Sequence, residues 1–429
     1  MDPRYFRVDF IIPGARPSGL AGAFIGAAMD EHSSSLNPAG MTYLRRPAIS
    51  THQRWSHLVY EEPQGSPENP GATREFHTDS FEQSMANLIY PINRRFAVSL
   101  FREVPVNSHF EFQTQPFLTT TSSVTERQVF GGLGSFPGRR VDLDLELVDD
   151  GLALAYAPTA RIGLGFAFRL SFMNLRLSEQ VFLDPALRSI GAPRQNSAAT
   201  LYSFTTLDDT EIGPSYDFGF LANLIQERLF FGAVAHVRPR YTFHSDIYTP
   251  EIAADSLLLP AQWTKDSPFE FSIPDSQGFG LYYAATDRLR FALDVARIEY
   301  SDLLDGNSTN AVADDSLDTQ TGTYTDPDGQ PDLVADDEYE IHFGVEFLAK
   351  IPGFNAVVPM RAGAFTNPGH RVYAASDDVD LRRLYPQAED HLVFGFGVGI
   401  IQMGNFKLDT SVLLSEEGTS VTGSAYVAF

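Results

Sequence analysis

The sequence predicts an all-β protein, an antiparallel barrel of about 14 strands around an N-terminal plug, and three observations predict it. Most of the chain alternates apolar and polar residues with period two. The connections between the alternating runs are short and long by turns. The opening stretch "GLAGAFIGAAMDEHSSSLNPAGM", from Gly19 to Met41, is built differently, from small residues that run into Asn-Pro-Ala-Gly.

The chain has 429 residues, 43% of them hydrophobic, enough for one large all-β unit or two ordinary domains. It has no cysteine, which excludes disulfides, thiolate-bound zinc and thiol catalysis and is silent on compartment. With 55 Asp and Glu against 31 Lys and Arg, the net charge of −24 argues against a nucleic-acid partner. No window holds the 18 to 20 apolar residues of a spanning helix. The nearest, "LVFGFGVGIIQMGNF" from Leu392, is too short and has glycine at alternate positions, which suits a strand. Residues 1–15 lack the basic start and apolar core of a signal peptide, so a mature or trimmed chain is expected.

Taken in order, residues 1–44 are expected to form the plug and residues 45–429 the barrel. Gly19, Ala21, Gly22, Ala23, Gly26, Ala27 and Ala28 read as a short helix of small residues that allows close approach to a wall. Asn37 and Pro38 end that helix and turn the chain into the first strand. Val141, Leu143, Leu145 and Leu147 face one way, whereas Leu152, Leu154 and Tyr156 follow in the other phase, so a bulge is expected at Asp149-Asp150-Gly151. In the next run Ile162, Leu164, Phe166, Phe168, Leu170 and Phe172 oppose Arg161, Gly163, Gly165, Arg169 and Ser171. Later, Tyr339, Ile341, Phe343, Val345 and Phe347 oppose Glu338, Glu340, His342, Gly344 and Glu346. Phe406, Leu408, Thr410, Val412 and Leu414 oppose Lys407, Asp409 and Ser411, and the closing "SAYVAF" alternates up to Phe429.

Tight turns are expected near 91–95, 157–160, 224–228, 285–288, 350–356 and 403–405. Long polar stretches fall near 61–76, 104–139, 181–211, 246–274, 303–336 and 367–388, with a short "EEGT" at 416–419. That alternation gives an even number of strands of about ten residues or more, with both termini on the short-turn side, the organisation of a bacterial outer-membrane barrel. A soluble sandwich also alternates, but its oily faces meet each other. In a barrel they meet lipid, where a misplaced Arg or Lys costs roughly 2–4 kcal/mol at midplane, and the strict sorting here fits that penalty. The terminal strand ending in Phe429 looks like the signal that outer-membrane assembly machinery reads.

The stretch "GARPSGLAGAFIGAAMDEHSSSLNPAGM" resembles the N-terminal hatch of the FadL family of outer-membrane transporters, and its Asn37, Pro38 and Ala39, followed by Gly40, match the family's Asn-Pro-Ala motif. "IPDSQGFGLYYAATDRLRFALDVARIEYSDL" from Ile273, "DDEYEIHFGVEFLAKI" from Asp336, "PMRAGAFTNP" from Pro359 and "GFGVGIIQMGNFKLDTSVLLS" from Gly395 resemble family strand pairs. The resemblance implies a hydrophobic ligand caught among extracellular loops, passed to an apolar pocket in the barrel and released sideways into the membrane through a kinked third strand. Pro105 is the candidate for that opening, in "VPVN" where the family usually has a Pro-Phe-Gly-Leu-like stretch. The same proline also reads as the end of the strand at its loop. The hatch motif is shared with PorV-like relatives that serve protein secretion, so a barrel that holds surface proteins, or a structural one, stays an alternative.

An apolar tail with a carboxylate head needs an oily pocket and a cation, preferably arginine. Arg169, Arg238 and Arg361 lie on the wet phase of their strands and are the candidate ligand contacts. The alternative is pairing with interior carboxylates such as Asp294, Glu340 or Glu346. Two apolar islands in the loops, 182–191 and 249–263, suit either capture of a greasy molecule or packing as a lid. Asp326, Asp328 and Asp332 have spacing tolerable for calcium, but without an EF-hand pattern a solvated acidic loop over 302–338 is expected, and no metal. No nucleophile elbow, zinc-protease motif or phosphate loop is present, so neither an enzyme nor a cofactor is expected. The reading is a monomer in the bacterial outer membrane that passively moves fatty-acid-like or hydrocarbon-like molecules. Its partners are that ligand and outer-membrane lipid or lipopolysaccharide, with surface proteins possible on the long loops.

Overall fold

A computed structural model describes residues 8–429 apart from 65–68, 70–71, 120–133, 137, 184–199, 250–251, 255–256, 260, 306–315, 319–322, 326–330, 351–355, 376–381, 383–384 and 403–404. One antiparallel sheet dominates: β1 Ala48–Pro63, β2 Thr73–Pro91, β3 Phe96–Gln113, β4 Gly138–Thr159, β5 Ile162–Leu183, β6 Thr200–Ile225, β7 Leu229–Val237, β8 Arg240–Thr249, β9 Gln262–Ser272, β10 Ser276–Ala284, β11 Leu289–Ile298, β12 Glu338–Lys350, β13 Ala356–Asn367, β14 His391–Gln402, β15 Phe406–Ser415 and β16 Gly418–Ala428. Strands next to each other in the chain pair, except that β7 pairs with β10 and β8 with β6 and β9, and β1 pairs with β16 from Ala48↔Ala428 to Leu58↔Gly418. Fourteen strands close the ring. The remaining two, β8 and β9, carry β7 and β10 onward above Pro239 and Pro274, where two chains that lack a ladder N–H break side by side.

The lower strands sort as expected, with Leu152, Leu154, Leu164, Phe343, Phe394, Phe396 and Leu408 exposed on the outside and Arg169, Ser171, Asp409 and Ser411 buried within. The upper strands hold a surprise. No bulge interrupts the β4–β5 ladder at Asp149-Asp150-Gly151, whose register runs unbroken from Gly138↔Phe182 to Tyr156↔Leu164. Val141, Leu143, Leu145 and Leu147 share the inward face with Asp149, Gly151 and Ala153. The phase of the pattern changes because the surroundings change. Strands β4 and β5 have 22 residues and β6 has 26, far more than the roughly 9–11 that cross a bilayer. Above the membrane the sheet therefore turns its polar face to water, with Asp142 exposed. Its inner face makes an apolar core with Met173, Leu175, Leu177, Phe243, Phe271 and Tyr300. Much of the sequence expected as loop, at 104–139, 181–211 and 246–274, is thus strand.

The N-terminal segment lies within the ring. Helices α1 (Ala15–Gly19) and α2 (Ser33–Leu36) are short, and a 3₁₀ turn spans Pro38–Tyr43. The small-residue run after Gly19 is a chain of turns instead of the expected helix, bent by positive φ at Ala21 (50°) and Gly22 (80°). Its backbone presses on wall glycines. A Cβ at Gly395 in β14 would strike the Ser18 carbonyl, one at Gly363 in β13 the Leu20 carbonyl, and one at Gly232 in β7 the Ile25 carbonyl. A helix would hold its backbone a side chain's width away from the wall, whereas turns let backbone touch backbone. Replacing Gly232 with leucine is expected to displace the segment and raise ion conductance in planar bilayers, while leucine at the outward Ala233 leaves the barrel closed. Equal conductance of both variants and the wild type would overturn this account of the filling.

Candidate functional site

Two cavities lie against the first described residues. The larger, about 260 Å³, is bounded by Phe10, Ile11, Leu58, Tyr300, Phe365 and Val393, with Arg54, Asn107 and Ser108 among its polar groups. A second, about 170 Å³, lies across Phe10, Ile11 and Pro13 from the first and reaches Glu103, Pro105, Arg169 and Arg238. The strip Asp9–Pro13 thus separates and lines both, and it is tied to the wall where Ile11 N donates to the Pro105 carbonyl at 2.8 Å.

Pro105 sits at a break in the wall. The β3–β4 register shifts between Glu103 and Val106, so Val104 and Pro105 form a bulge. On the other edge, the β2–β3 ladder ends at Met85↔Glu103, and no pairing joins Thr73–Ser84 to Val104–Gln113 among the described residues. The strand does not end at this proline. It bends and continues to Gln113, paired with β4 alone. Side chains bridge the parting: Asn107 Nδ2 donates to Glu82 at 3.2 Å, and the Tyr60 hydroxyl accepts from Glu111 N and donates to its carbonyl at 3.0 and 2.9 Å. Just below, on the outer face, Arg102 stands 3.8 Å from Asp150 between apolar neighbours Leu100 and Leu152.

The three arginines singled out in the sequence do point inward, and each meets carboxylates. Arg169, 1% exposed, donates to Glu103 (2.8 Å), Asp149 (2.9 Å), Asp217 (2.6 Å) and the Ser35 carbonyl (3.1 Å), and the Ser35 hydroxyl also bonds Glu103. Arg238 shares Asp149 at 2.8 Å. Arg361 joins Glu346 (2.8 Å) to Asp409 (2.6 Å), and Arg16 of α1 holds the same Glu346 at 3.1 Å and Asp30 at 2.7 Å. Arg361 borders a separate polar cavity on the short-turn side of the segment, away from the apolar pair. Burial alone favours the neutral acid at Asp30, yet His32 and Arg16 beside it hold that carboxyl well below the usual range.

The Asn-Pro-Ala-Gly motif has a mechanical role. Asn37 Oδ1 accepts from Ala39 N at 3.2 Å, its Nδ2 donates to the Ile25 and Phe220 carbonyls at 3.0 and 3.2 Å, Pro38 opens the 3₁₀ turn and Gly40 packs against the Ala28 carbonyl. Asp294, foreseen as an arginine partner, instead accepts the N–H groups of Phe24 (2.5 Å) and Ile25 (2.6 Å). Glu340 pairs with His342, whose Nδ1 meets the Ala21 carbonyl at 2.8 Å.

Sequence reasoning missed Arg54. Its Nε is buried without a hydrogen bond, and the nearest carboxylate oxygen, on Glu82, is 3.8 Å away and equally unbonded. Alternation along "STHQRWSHL" places it on the inner phase, but only the three-dimensional cavity separates a loosely held cation from a saturated one. Of the calcium candidates, Asp326 and Asp328 lie outside the described residues, and Asp332 is buried. Most of the island 182–191 also lies outside them, and 249–263 includes a small ribbon pairing Ile252–Ala254 with Leu257–Leu259.

Comparison with known proteins follows the same lines. The family model described as "Outer membrane protein transport protein (OMPP1/FadL/TodX)" matches residues 9–327. Among solved structures, a FadL homologue of Pseudomonas aeruginosa is 15% identical with a TM-score of 0.62, covering 98% of this chain and 99% of its own. The toluene transporter TbuX of Ralstonia pickettii is 12% identical with a TM-score of 0.55, covering 99% and 98%. The toluene transporter TodX of P. putida is 13% identical with a TM-score of 0.54, covering 94% and 98%. Sequence comparison with curated proteins finds no match. Since the family's model spans most of the chain and the barrel agrees with it, the protein belongs to the OMPP1/FadL/TodX family of bacterial outer-membrane transport proteins.

Proposed function

We propose that the protein admits amphiphiles with an apolar tail and a carboxylate head, holds them in the cavity beside Asp9–Pro13 and releases them between β2 and β3. Family membership makes it an outer-membrane channel for hydrophobic compounds, a monomeric barrel and not an enzyme. The observation that supports the finer reading is the parting of β2 from β3 above Glu103, where Asn107 and Ser108 line a cavity that joins apolar side chains to one loosely held arginine, with Asp9, Glu340 and Glu417 also on its wall. In this reading residues 8–44 are the hatch. Most of the hatch is stitched to the wall by buried ion pairs, whereas the strip at its start lies between the two cavities. Displacing that strip would join the cavities and expose Pro105, without unpacking the Arg169 and Arg361 networks.

Arg54 would offer a carboxylate its Nε, which has no hydrogen bond, and Asn107 and Ser108 supply further polar groups nearby. Arg169, Arg238 and Arg361 act on the ligand through the shape of the lumen they hold. Bare hydrocarbons would occupy the same walls without using Arg54, so the head group is where the two substrate classes divide.

Three measurements test this. Arg54→Met is expected to weaken dodecanoate binding by about tenfold or more, roughly 1.4 kcal/mol, and to leave toluene binding unchanged. Equal loss for both ligands, or for neither, removes the head-group role. Arg169→Met leaves three carboxylates around a buried void and is expected to destabilise the barrel by about 3–5 kcal/mol, read as a lower unfolding temperature in detergent. Ligand affinity of the folded fraction should hold, and a variant as stable as wild type would contradict the assigned role. A disulfide between Glu82→Cys and Asn107→Cys, across the parting, should stop uptake in whole cells until reductant is added. Undiminished uptake with the bond formed would exclude this exit.

A further inference from the structure

Although the chain is strongly acidic, its short-turn end is basic. The residues that precede β1 and the short turns (45–47, 92–95, 160–161, 226–228, 285–288, 350–355 and 403–405) contain eight Arg or Lys and two acids, Glu227 and Asp287. Arg94, Arg95, Arg161, Arg228, Arg288 and Lys350 are exposed, and none pairs with a carboxylate among the described residues. They are not gathered on one flank. Five of the six short turns contribute, so the cations follow the circumference of the barrel.

Their height is fixed by their neighbours. Tyr90 (53% exposed) and Ile92 (58%) flank Arg94, and Phe96 and Tyr156 stack beside Arg95 and Arg161 with ring centroids 4.7 Å apart. Outward aromatic residues mark the boundary between hydrocarbon and head groups. The guanidinium groups therefore project into the head-group layer of the leaflet on the short-turn side, which in an outer-membrane barrel is the periplasmic, phospholipid leaflet.

We infer that this rim is a binding annulus for anionic phospholipids of the periplasmic leaflet. An acidic protein partner would need these cations gathered on one face, whereas a ring continuous with the apolar belt matches lipid molecules that already surround it. Arginine suits phosphate because its fork donates two hydrogen bonds, and several cations near one anionic surface act together. The opposite end favours the same orientation, since Asp142, Asp144 and Glu146 face outward above the belt and would repel such lipids.

The test uses the full chain in nanodiscs of phosphatidylcholine with or without phosphatidylglycerol of matched acyl chains, and native mass spectrometry after release into detergent. Wild type should unfold several degrees higher with phosphatidylglycerol at low salt, lose most of that shift at about 0.5 M salt because the attraction is screened, and retain phosphatidylglycerol in preference. The variant Arg94→Glu/Arg95→Glu/Arg228→Glu/Arg288→Glu should show neither the shift nor the preference, while Arg176→Glu, exposed on the upper strands, should keep both. If the fourfold variant fails to assemble, the wild-type lipid and salt comparison decides alone. No preference in wild type, a preference indifferent to salt, or one kept by the fourfold variant would overturn the annulus.

Discussion

Hydrocarbon offers a backbone amide nothing to bond with, and this single constraint sets the rest of the architecture. A sheet that crosses a bilayer has to satisfy every edge, so β1 must find β16 and the strands close into a cylinder. A cylinder of fourteen strands is too wide for its own side chains to fill, and an open lumen would be a leak. Inside that cylinder lie residues 8–44. Their turns lie against glycines of the wall, and what space cannot supply in packing is supplied by charge.

Inside the ring, charge holds the filling in place. Arg169 draws together acids from β3, β4 and β6 and the Ser35 carbonyl, while Arg16 and Arg361 share Glu346 from opposite sides. Such groups are costly to bury singly and cohere only as complete sets. A complete set resists change, which directs any movement to the places where sets are incomplete. Those places coincide: Arg54 and Glu82 are loosely matched, β2 and β3 have parted, and Ile11 N ties the strip to the Pro105 carbonyl.

Reading alternation correctly requires knowing what lies on each side of the sheet. In the lower strands polar means inward, and the rows around Arg169, Glu346 and Asp409 were legible from parity. In the upper strands the same backbone phase carries the opposite chemistry, because water has replaced lipid outside and an apolar core has replaced the hatch inside. A periodicity argument meets this as a slip of one residue, which is why Asp149-Asp150-Gly151 looked like a bulge. A bulge does lie at Val104-Pro105, where its proline marked it. The helix expected over the small residues failed for a related reason: alanine favours a helix but glycine opposes one, and here the wall approaches too closely for one.

By itself the sequence determined the barrel, the number of strands in its ring and the short-turn side on which the last strand ends. All of these follow from local rules: period two and turn length. The expectation that the N-terminus lies on that side too failed, because Val8 is buried in the apolar core of the upper strands. Tertiary structure alone decided which inward arginine is loosely held and which is saturated, because saturation depends on carboxylates brought from strands distant along the chain. It also decided where the wall parts, since a ladder ends only when two strands diverge in space, and neither strand carries that information alone.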